Sequence, residues 1–327
     1  NPGTAGLNKL KALRSLGINR LSIGVQSFND KHLKTLGRMH NAAEVIKFYD
    51  DARAAGFDNI NLDLMFALPG QTLEEWRADL QTAINLTTEP PNHLSTYNLH
   101  LEENTPLWEK TRMPSPANAK PSPLSQRERV IPFSNSQPQQ VTFSPWEKGA
   151  TLEPADEGLM LPSEDLELAM YEHTIETLTT AGYKHYEISN FAKPGYECLH
   201  NLNYWRNGNY LGLGAGAHSH FNGQRWANPN CIESYLGKGW DTGLVNSQKF
   251  KIPKTQPNNQ TSRSTSQQET IFMGLRLLDG ISTDKFTGFD KEVKGLINDG
   301  LLMEENGNYK LTRRGLYLGN LVFEKFI

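Results

Sequence analysis

The side chains best equipped for chemistry are concentrated between Glu197 and His220 in this 327-residue sequence. The stretch ECLHNLNYWRNGNYLGLGAGAHSH holds one cysteine, three histidines, two tyrosines, one tryptophan and four glycines. An imidazole such as that of His200 can ligate iron, and aromatic faces such as those of Tyr204 and Trp205 can pack against a flat apolar macrocycle. From the residues alone the alternative stays open, in which His200 orients a loop and both aromatic side chains belong to a core.

Three further polar residues interrupt or follow predicted strands. Gln26 lies near the end of the run RLSIGVQSF (20–28), and its amide either binds a ligand or caps the strand by bonding to its backbone. Asp63 lies inside NINLDLMFAL (59–68), where a carboxylate is costly unless partners satisfy it. It either accepts the hydroxyls of a ribose or forms an internal ion pair or loop contact. Arg38 either clamps a carboxylate through its guanidinium or is a solvated surface group.

Alternating helices and strands position these residues. Between residues 1 and 105, amphipathic helical segments separate the two runs above from a third at 93–101. The runs begin roughly 35 to 40 residues apart, which is the period of a β-loop-α-loop unit. This pattern predicts an α/β fold with a parallel sheet or barrel and outer helices, with its chemistry at the carboxyl ends of the strands. A helix that begins after Ser163 and another strand at 185–192 continue the pattern.

Two stretches without hydrophobic periodicity divide the chain. The first is rich in proline and poor in apolar residues, so we expect a disordered insertion there, and the second has the composition of a polar linker. The predicted domains are a partial barrel at 1–112, the insertion at 113–160, a continuation of the barrel with the histidine-rich motif at 161–250, the linker at 251–269 and a terminal domain at 270–327.

The terminal domain follows the order helix, helix, hairpin, helix, with a tight turn at Asn306-Gly307. This order predicts an α-rich, winged-helix-like domain. From Glu269 onward, eight Lys and Arg residues accompany nine Asp and Glu residues. A DNA-reading wing normally needs a positive surface, so we expect this domain to contact protein instead.

Composition narrows the function classes. The 33 basic and 36 acidic residues give a net charge of −3, which argues against a nucleic-acid or anionic-membrane binder that relies on bulk electrostatics. The two cysteines, Cys198 and Cys231, cannot build a disulfide framework or a four-thiolate site, and we assign no metal site. No signal peptide or membrane-spanning run is evident, so a cytoplasmic location is expected.

Four segments occur together in an order that resembles the HemW branch of the radical S-adenosylmethionine (SAM) proteins, which is similar to the oxygen-independent coproporphyrinogen III oxidases. They are GINRLSIGVQSFNDKHLKTLGRMH, NINLDLMFALPGQT, HLSTYNLHLEENTPL and YEISNFAKPGYECLHNLNYWRNGNYLGLGAGAHSHF. The resemblance covers about 1–112, 160–250 and 270–327. It implies a partial (β/α) barrel of radical SAM type that lacks its first strands, followed by the terminal domain.

The resemblance also implies roles for individual residues. Gln26 and Asp63 would bind the SAM ribose, and Arg38 would contact its methionine carboxylate. His200, Asn201, Tyr204 and Trp205 form the pattern HNxxYW, which resembles the haem-binding signature of the HemW group.

The implied cofactors are SAM, a [4Fe-4S] cluster and haem. Such a cluster needs three cysteines, usually spaced CxxxCxxC, and this sequence has no such triplet. The resemblance implies that the cluster loop lies upstream of the segment with which this chain begins. We therefore expect either that the first barrel strands are missing or that the protein is a degenerate copy, and that the chain as given cannot assemble the cluster.

Three functions remain open. The leading hypothesis is a haem chaperone whose partners are haem and acceptor haem proteins, with peripheral contact to membrane-bound haem proteins and no nucleic acid. The second is an oxygen-independent coproporphyrinogen III oxidase, in which a 5′-deoxyadenosyl radical abstracts hydrogen from propionate side chains before decarboxylation. The third is an inactive remnant that binds protein. Whether the chain is an enzyme stays undecided at this point.

Overall fold

The computed structural model describes residues 1–86, 89–103, 105–112, 159–236 and 263–327. The chain separates into two compact units. The first contains Asn1–Glu197 and Arg313–Leu321, and the second contains Cys198–Thr312 and Val322–Ile327. The division after Glu197 falls inside the predicted 161–250 domain, while the predicted insertion and most of the predicted linker lie outside the described residues. The other domain boundaries stay predictions.

The first unit is built on a five-stranded sheet among the described residues, with strand order β1-β2-β3-β5-β4. Its strands are β1 (Arg20–Gln26), β2 (Asn59–Phe66), β3 (His93–Asn98), β4 (Lys184–Glu187) and β5 (Asn190–Ala192). Its helices are α1 (Leu7–Ser15), α2 (Asp30–Thr35), α3 (Ala42–Ala54), α4 (Leu73–Ile84), α5 (Pro106–Arg112) and α6 (Glu164–Thr180).

Strands β1, β2 and β3 are parallel, as the spacing of the apolar runs predicts. The prediction of one strand at 185–192 is wrong, because β4 and β5 form an antiparallel hairpin in that segment. Its turn is closed by the Glu187 carboxylate, which accepts hydrogen bonds from the Asn190 amide and from the backbone N–H of Ser189. Since β5 pairs antiparallel with β3, the sheet is mixed rather than all parallel.

One face of the sheet carries the hydrophobic core. Along β2, Ile60, Leu62 and Leu64 alternate with polar residues and are fully buried in the same core cluster as residues of α1, α3, α4 and α6. The Trp76 indole of α4 also belongs to this core, and its N–H donates to the Thr174 hydroxyl of α6 at 2.9 Å. Helix α6 begins after Ser163, whose side chain caps it as the sequence predicts.

The opposite face of the sheet is polar, and we call it the polar face. It consists of side chains that share hydrogen bonds across four strands: Ser22, Asn61, Asp63, His93, Ser95 and Tyr186. Four of them, Asn61, His93, Ser95 and Tyr186, are at most 3% exposed. A buried polar layer of this kind is costly unless its groups are paired, so its hydrogen bonds decide whether the sheet is stable.

The second unit begins with α7 (Leu199–Trp205), a hairpin of β6 (His218–Phe221) and β7 (Gln224–Ala227), and α8 (Ile232–Leu236). After the residues that are not described come α9 (Arg263–Gly274), β8 (Ile281–Ser282), α10 (Asp290–Asn298), β9 (Leu302–Glu305) and β10 (Asn308–Leu311). The chain then adds α11 (Arg313–Tyr317) to the first unit, and α12 (Gly319–Phe323) follows.

The terminal segment keeps the predicted order of elements. Asn306 and Gly307 both have positive φ, 51° and 76°, as a two-residue turn of type I′ requires, so the predicted hairpin is confirmed. The first helix of this domain, α9, ends at Gly274, where a Cβ atom would lie 2.2 Å from the Ile281 Cγ2 atom, so the glycine leaves room for Ile281 to pack closely. The winged-helix-like character stays a prediction. Among the described residues, no helix is both long and apolar enough to cross a membrane.

Candidate functional site

A cavity lies beside the carboxyl ends of the parallel strands in the first unit. Its volume is about 380 Å³, and it is lined by Gln26, Asp63, Met65, Tyr97, Asn98 and His100. Two of the three residues predicted to bind SAM, Gln26 and Asp63, therefore line one cavity. A volume of this size falls in the range of small-molecule sites, about 300–1,000 Å³, and the lining combines polar groups with one aromatic ring.

Gln26 is held in an unusual backbone conformation at the rim of this cavity. Its φ is 68°, in the left-handed region, and the pairing of β1 with β2 shifts register between Gly24 and Gln26. Such an irregularity re-aims a side chain at a strand end. A Cβ atom on Gly24 would lie 2.9 Å from the Gln26 Nε2 atom, so the absence of a side chain at residue 24 leaves room for the glutamine amide.

Buried contacts with helix α4 hold the turn that follows Gln26. The carboxylate of Asp79 accepts a hydrogen bond from the Ser27 hydroxyl at 2.7 Å and one from the Phe28 backbone N–H at 2.7 Å. Burial raises the pKa of Asp79, and these two hydrogen bonds oppose that shift. Residues 27 and 28 are thereby fixed to a helix of the core, which supports the left-handed backbone of the residue before them.

Hydrogen bonds from two neighbouring side chains orient the Asp63 carboxylate, which also lines the cavity. Its Oδ2 atom accepts a hydrogen bond from the Ser22 hydroxyl at 2.9 Å, and its Oδ1 atom accepts one from the Asn61 amide at 2.8 Å. Each carboxylate oxygen offers about two acceptor positions, so each retains one for a ligand. The two oxygen atoms of one carboxylate can accept hydrogen bonds from the two adjacent hydroxyls of a ribose.

Arg38 is placed differently from the other two predicted residues. It is half-buried in the turn after α2, and it is not among the residues that line the cavity. Two residues later, the His40 ring lies 3.4 Å from the Val25 carbonyl oxygen, next to Gln26. Burial lowers the pKa of His40, and the nearby Arg38 charge lowers it further. The contact of Arg38 with a carboxylate ligand stays a prediction.

The second predicted site lies in the second unit, on helix α7. The His200 side chain is exposed, and its ring packs edge-on against Tyr204 one helical turn later, with 4.5 Å between ring centroids. Tyr204 in turn packs edge-on against Tyr210, with centroids 4.6 Å apart. The result is a row of aromatic rings that ends in an accessible imidazole.

Exposed leucines lie next to this row in the sequence. Leu199 precedes His200 and is 79% exposed, while Leu211 follows Tyr210 and is 49% exposed. An apolar ligand such as a macrocycle gains free energy by covering such side chains. An exposed imidazole with apolar residues near it in the sequence is compatible with the predicted haem ligand, which stays a prediction.

The remaining motif residues face other surroundings. Asn201 and Trp205 are half-buried, and the Arg276 guanidinium lies 4.6 Å from the centroid of the Trp205 ring. On a helix, residues 200 and 204 share one face and residues 201 and 205 share the next. The structure therefore brings His200 and Tyr204 together and directs Trp205 against Arg276.

The glycine-rich segment 212–217 packs against the β6–β7 hairpin. A Cβ atom on Gly212 would lie 2.1 Å from the backbone oxygen of His218, so this glycine allows the two backbones to approach closely. His218 is exposed, whereas His220 is buried and its Nδ1 atom lies 2.9 Å from the Gly208 carbonyl oxygen. Among the described residues, no group of three or more His, Cys, Asp or Glu side chains could hold a metal ion.

Sequence reasoning missed most of the polar face. Asn61 and His93 were not predicted as site residues, although the alternation of polar and apolar residues in NINLDL and HLSTYN could have revealed them. Burial lowers the pKa of His93 to about 3, so this ring is neutral at physiological pH.

Comparison with known proteins identifies the family and the fold of this chain. The Radical SAM superfamily pattern matches residues 1–83, and the HemN C-terminal domain pattern matches residues 266–318. The heme chaperone HemW of Bacillus subtilis (strain 168) is 33% identical, with all of this chain and 74% of that protein covered. The heme chaperone HemW of Lactococcus lactis is 32% identical with the same coverage.

A solved structure matches as well. Coproporphyrinogen III oxidase (HemN) from Escherichia coli, a radical SAM enzyme, superimposes with a TM-score of 0.64 over 99% of this chain and 68% of that one. Its sequence identity of 22% is low, so the likeness demonstrates the fold alone. Together with the Radical SAM match and the HemW relatives, this likeness confirms the predicted radical SAM type of α/β fold, and the lack of the first strands stays a prediction.

Proposed function

We propose that this chain, which belongs to the HemW family of radical SAM proteins, binds haem on helix α7 and passes it to acceptor haem proteins. We also propose that the cavity of the first unit binds SAM. Relatives that share about a third of its residues over its whole length are named haem chaperones, and this supports the first role. The identity of the acceptor proteins, a peripheral contact with membrane-bound ones and a cytoplasmic location stay predictions.

The exposed imidazole of His200 is the observation that carries the haem assignment. A neutral imidazole nitrogen is a common axial ligand of haem iron, and this one has solvent on its outer side. Tyr204 supports the ring from one side, and Leu199 and Leu211 supply apolar surface. We propose that Trp205 contributes indirectly, by holding α7 against Arg276, and that Asn201 supports the same helix.

The residues of the first unit fit the nucleoside of SAM. Asp63 would accept the ribose hydroxyls with its two free acceptor positions, and the Gln26 amide, at the end of the neighbouring strand, would hydrogen-bond to the nucleoside. The Tyr97 ring, 38% exposed, lies in the lining of the same cavity and could pack on the adenine. When bound, SAM would supply a methionine sulfonium attached to this nucleoside; the chain's own residues would fix its position.

The iron–sulfur cluster that membership of a radical SAM family implies does not fit the residues of this chain. Three thiolates are needed, and the sequence has two cysteines, Cys198 and Cys231. The first is buried and the second is exposed.

The oxidase alternative has less support. The structure that carries the oxidase name matches at 22% identity, which demonstrates a common fold and not a common substrate. By contrast, the relatives with 32% and 33% identity are named chaperones.

Haem titration of three proteins tests the first role. Hemin is added to the wild-type chain, to His200→Ala and to His218→Ala, and the Soret band is followed. His218 is a matched control because it is an exposed histidine of the same unit outside the motif. We expect saturation at about one haem per chain, with at least about tenfold weaker binding for His200→Ala. Equal affinities for all three proteins would contradict the haem assignment.

Isothermal titration with SAM tests the second role. We expect Asp63→Asn to weaken SAM binding by about tenfold, because one acceptor for a ribose hydroxyl is replaced by a donor. Asp58→Asn is the matched control, since Asp58 is exposed and lies just before β2, away from the carboxyl end of the strand. If Asp63→Asn binds SAM as tightly as the wild type, the ribose assignment is wrong.

A further inference from the structure

The hydrogen bonds of the polar face form a continuous chain from Tyr186 to Asp63. The Tyr186 hydroxyl lies 2.7 Å from the His93 Nε2 atom, and the His93 Nδ1 atom lies 2.6 Å from the Asn61 Oδ1 atom. The Asn61 amide nitrogen then donates to Asp63 Oδ1 at 2.8 Å. These residues come from strands β4, β3 and β2 of the sheet, in which β5 lies between β3 and β4, and all belong to the first unit.

The Asp63 carboxylate fixes the donor and the acceptor of every hydrogen bond between Asp63 and Tyr186. An ionised carboxylate only accepts hydrogen bonds, so the nitrogen of the Asn61 amide has to face it and the amide oxygen has to face His93. The same nitrogen donates its second hydrogen to the Ser22 hydroxyl at 2.7 Å, and the oxygen also accepts from the Ser95 hydroxyl at 3.1 Å. Asn61 thereby uses both donors and both acceptors.

This orientation of Asn61 determines the tautomer of His93. Its Nδ1 atom faces an amide oxygen and has to carry the proton, while its Nε2 atom has to accept from the Tyr186 hydroxyl. The opposite tautomer would set two lone pairs against each other 2.6 Å apart. Rotation of the Asn61 amide would not relieve this, because its oxygen would then face the carboxylate. Burial lowers the pKa of His93 to about 3, in agreement with a neutral ring.

We propose that His93 is a positioning residue for the nucleoside, which it orients by locking Asn61 and, through Asn61, the carboxylate of Asp63. This inference rests on the proposed SAM site. Neither His93 nor Asn61 lines the cavity, so His93 acts through Asp63 and not by contact with the ligand. If the carboxylate is already held in the geometry that the ribose hydroxyls require, the ligand does not lose binding free energy to order it.

A second buried histidine provides a matched control. His185 is also on the sheet, and burial lowers its pKa to about 4. Its ring stacks on Phe191 with 4.2 Å between centroids, and its Nε2 atom lies 3.1 Å from the Ile188 carbonyl oxygen. Neither of these partners belongs to the polar face, so a substitution of His185 tests for a general loss of stability.

SAM affinity of four proteins tests the proposal. His93→Phe keeps an aromatic ring at this buried position but removes the donor to Asn61 and the acceptor for the Tyr186 hydroxyl, and His93→Asn keeps a donor near the Nδ1 position. We expect about tenfold weaker binding for His93→Phe, partial recovery for His93→Asn, and a change within about twofold for His185→Phe. Wild-type affinity in His93→Phe, or an equal loss in both phenylalanine variants, would overturn the proposal.

The tautomer is measured independently on the wild-type chain. A long-range ¹H–¹⁵N spectrum of histidine-labelled protein should show His93 with its proton on Nδ1, and a proton on Nε2 would overturn the proposal even if no variant folds. If the wild type does not bind SAM, or Asp63→Asn binds normally, the proposed nucleoside site fails, and the tautomer alone then decides whether His93 orients Asp63.

Discussion

Acidification should destabilise the first unit through the same histidine that orients Asp63. Burial lowers the pKa of His93 to about 3, whereas an unfolded histidine titrates near its ordinary value of 6.5. Between these values the unfolded chain binds a proton that the folded chain does not, so stability falls as the pH drops below 6.5 and continues to fall toward pH 3. At pH 5 the two pKa values correspond to a loss of about 2 kcal/mol relative to pH 7.

Urea unfolding at pH 7 and pH 5, followed by circular dichroism, measures this loss. Other groups titrate in the same range, so the relevant quantity is the difference between the wild type and His93→Asn. We expect the free energy of unfolding of the wild type to fall by about 2 kcal/mol more than that of the variant. Identical losses in the two proteins would show that His93 is not buried and neutral, and would refute the hydrogen-bond chain built on it.

The same experiment on His185 provides an internal check. Burial lowers its pKa to about 4, and at pH 5 this shift also corresponds to about 2 kcal/mol. The two histidines share no partner among the contacts described above. We therefore expect the pH-dependent losses that the His93→Asn and His185→Phe substitutions each remove to add in the double variant.

Of two glycine substitutions, one should weaken SAM binding and the other should lower the free energy of unfolding. Gly24→Ala would place its Cβ atom 2.9 Å from the movable tip of Gln26, so we expect weaker SAM binding by calorimetry with a change in unfolding free energy below about 1 kcal/mol. Wild-type SAM affinity in this variant would show that Gln26 is not part of the site. Gly212→Ala would place its Cβ atom 2.1 Å from the rigid backbone oxygen of His218, and we expect a loss of about 1–3 kcal/mol in urea unfolding. An unchanged midpoint would show that the segment does not pack on the hairpin.

The architecture was largely predictable because hydrophobic periodicity dominates it. The three parallel strands, the helix capped by Ser163 and the turn at Asn306-Gly307 all follow from local patterns. The hairpin at 184–192 was not predicted, since its turn depends on a side-chain contact between Glu187 and Asn190. Short apolar runs do not reveal a reversal of direction unless glycine, proline or asparagine marks it at the expected position.

The candidate sites were predicted less completely. Gln26 and Asp63 were identified as polar residues in apolar strands, and their convergence on one cavity follows from the parallel sheet. The left-handed φ of Gln26 and its support by Asp79 could not be predicted, because the contact joins residues about 50 positions apart. The separation of Trp205 from His200 was accessible from helical spacing, since the two residues do not share a helix face.

The spectrum of ferric haem bound to the purified chain tests the central claim most directly. Electron paramagnetic resonance distinguishes an imidazole ligand from a thiolate ligand on the iron, and the chain offers both an exposed His200 and an exposed Cys231. We predict an imidazole signature in the wild type and in His218→Ala that is lost in His200→Ala. A thiolate signature in the wild type, or an unchanged imidazole signature in His200→Ala, would contradict the account.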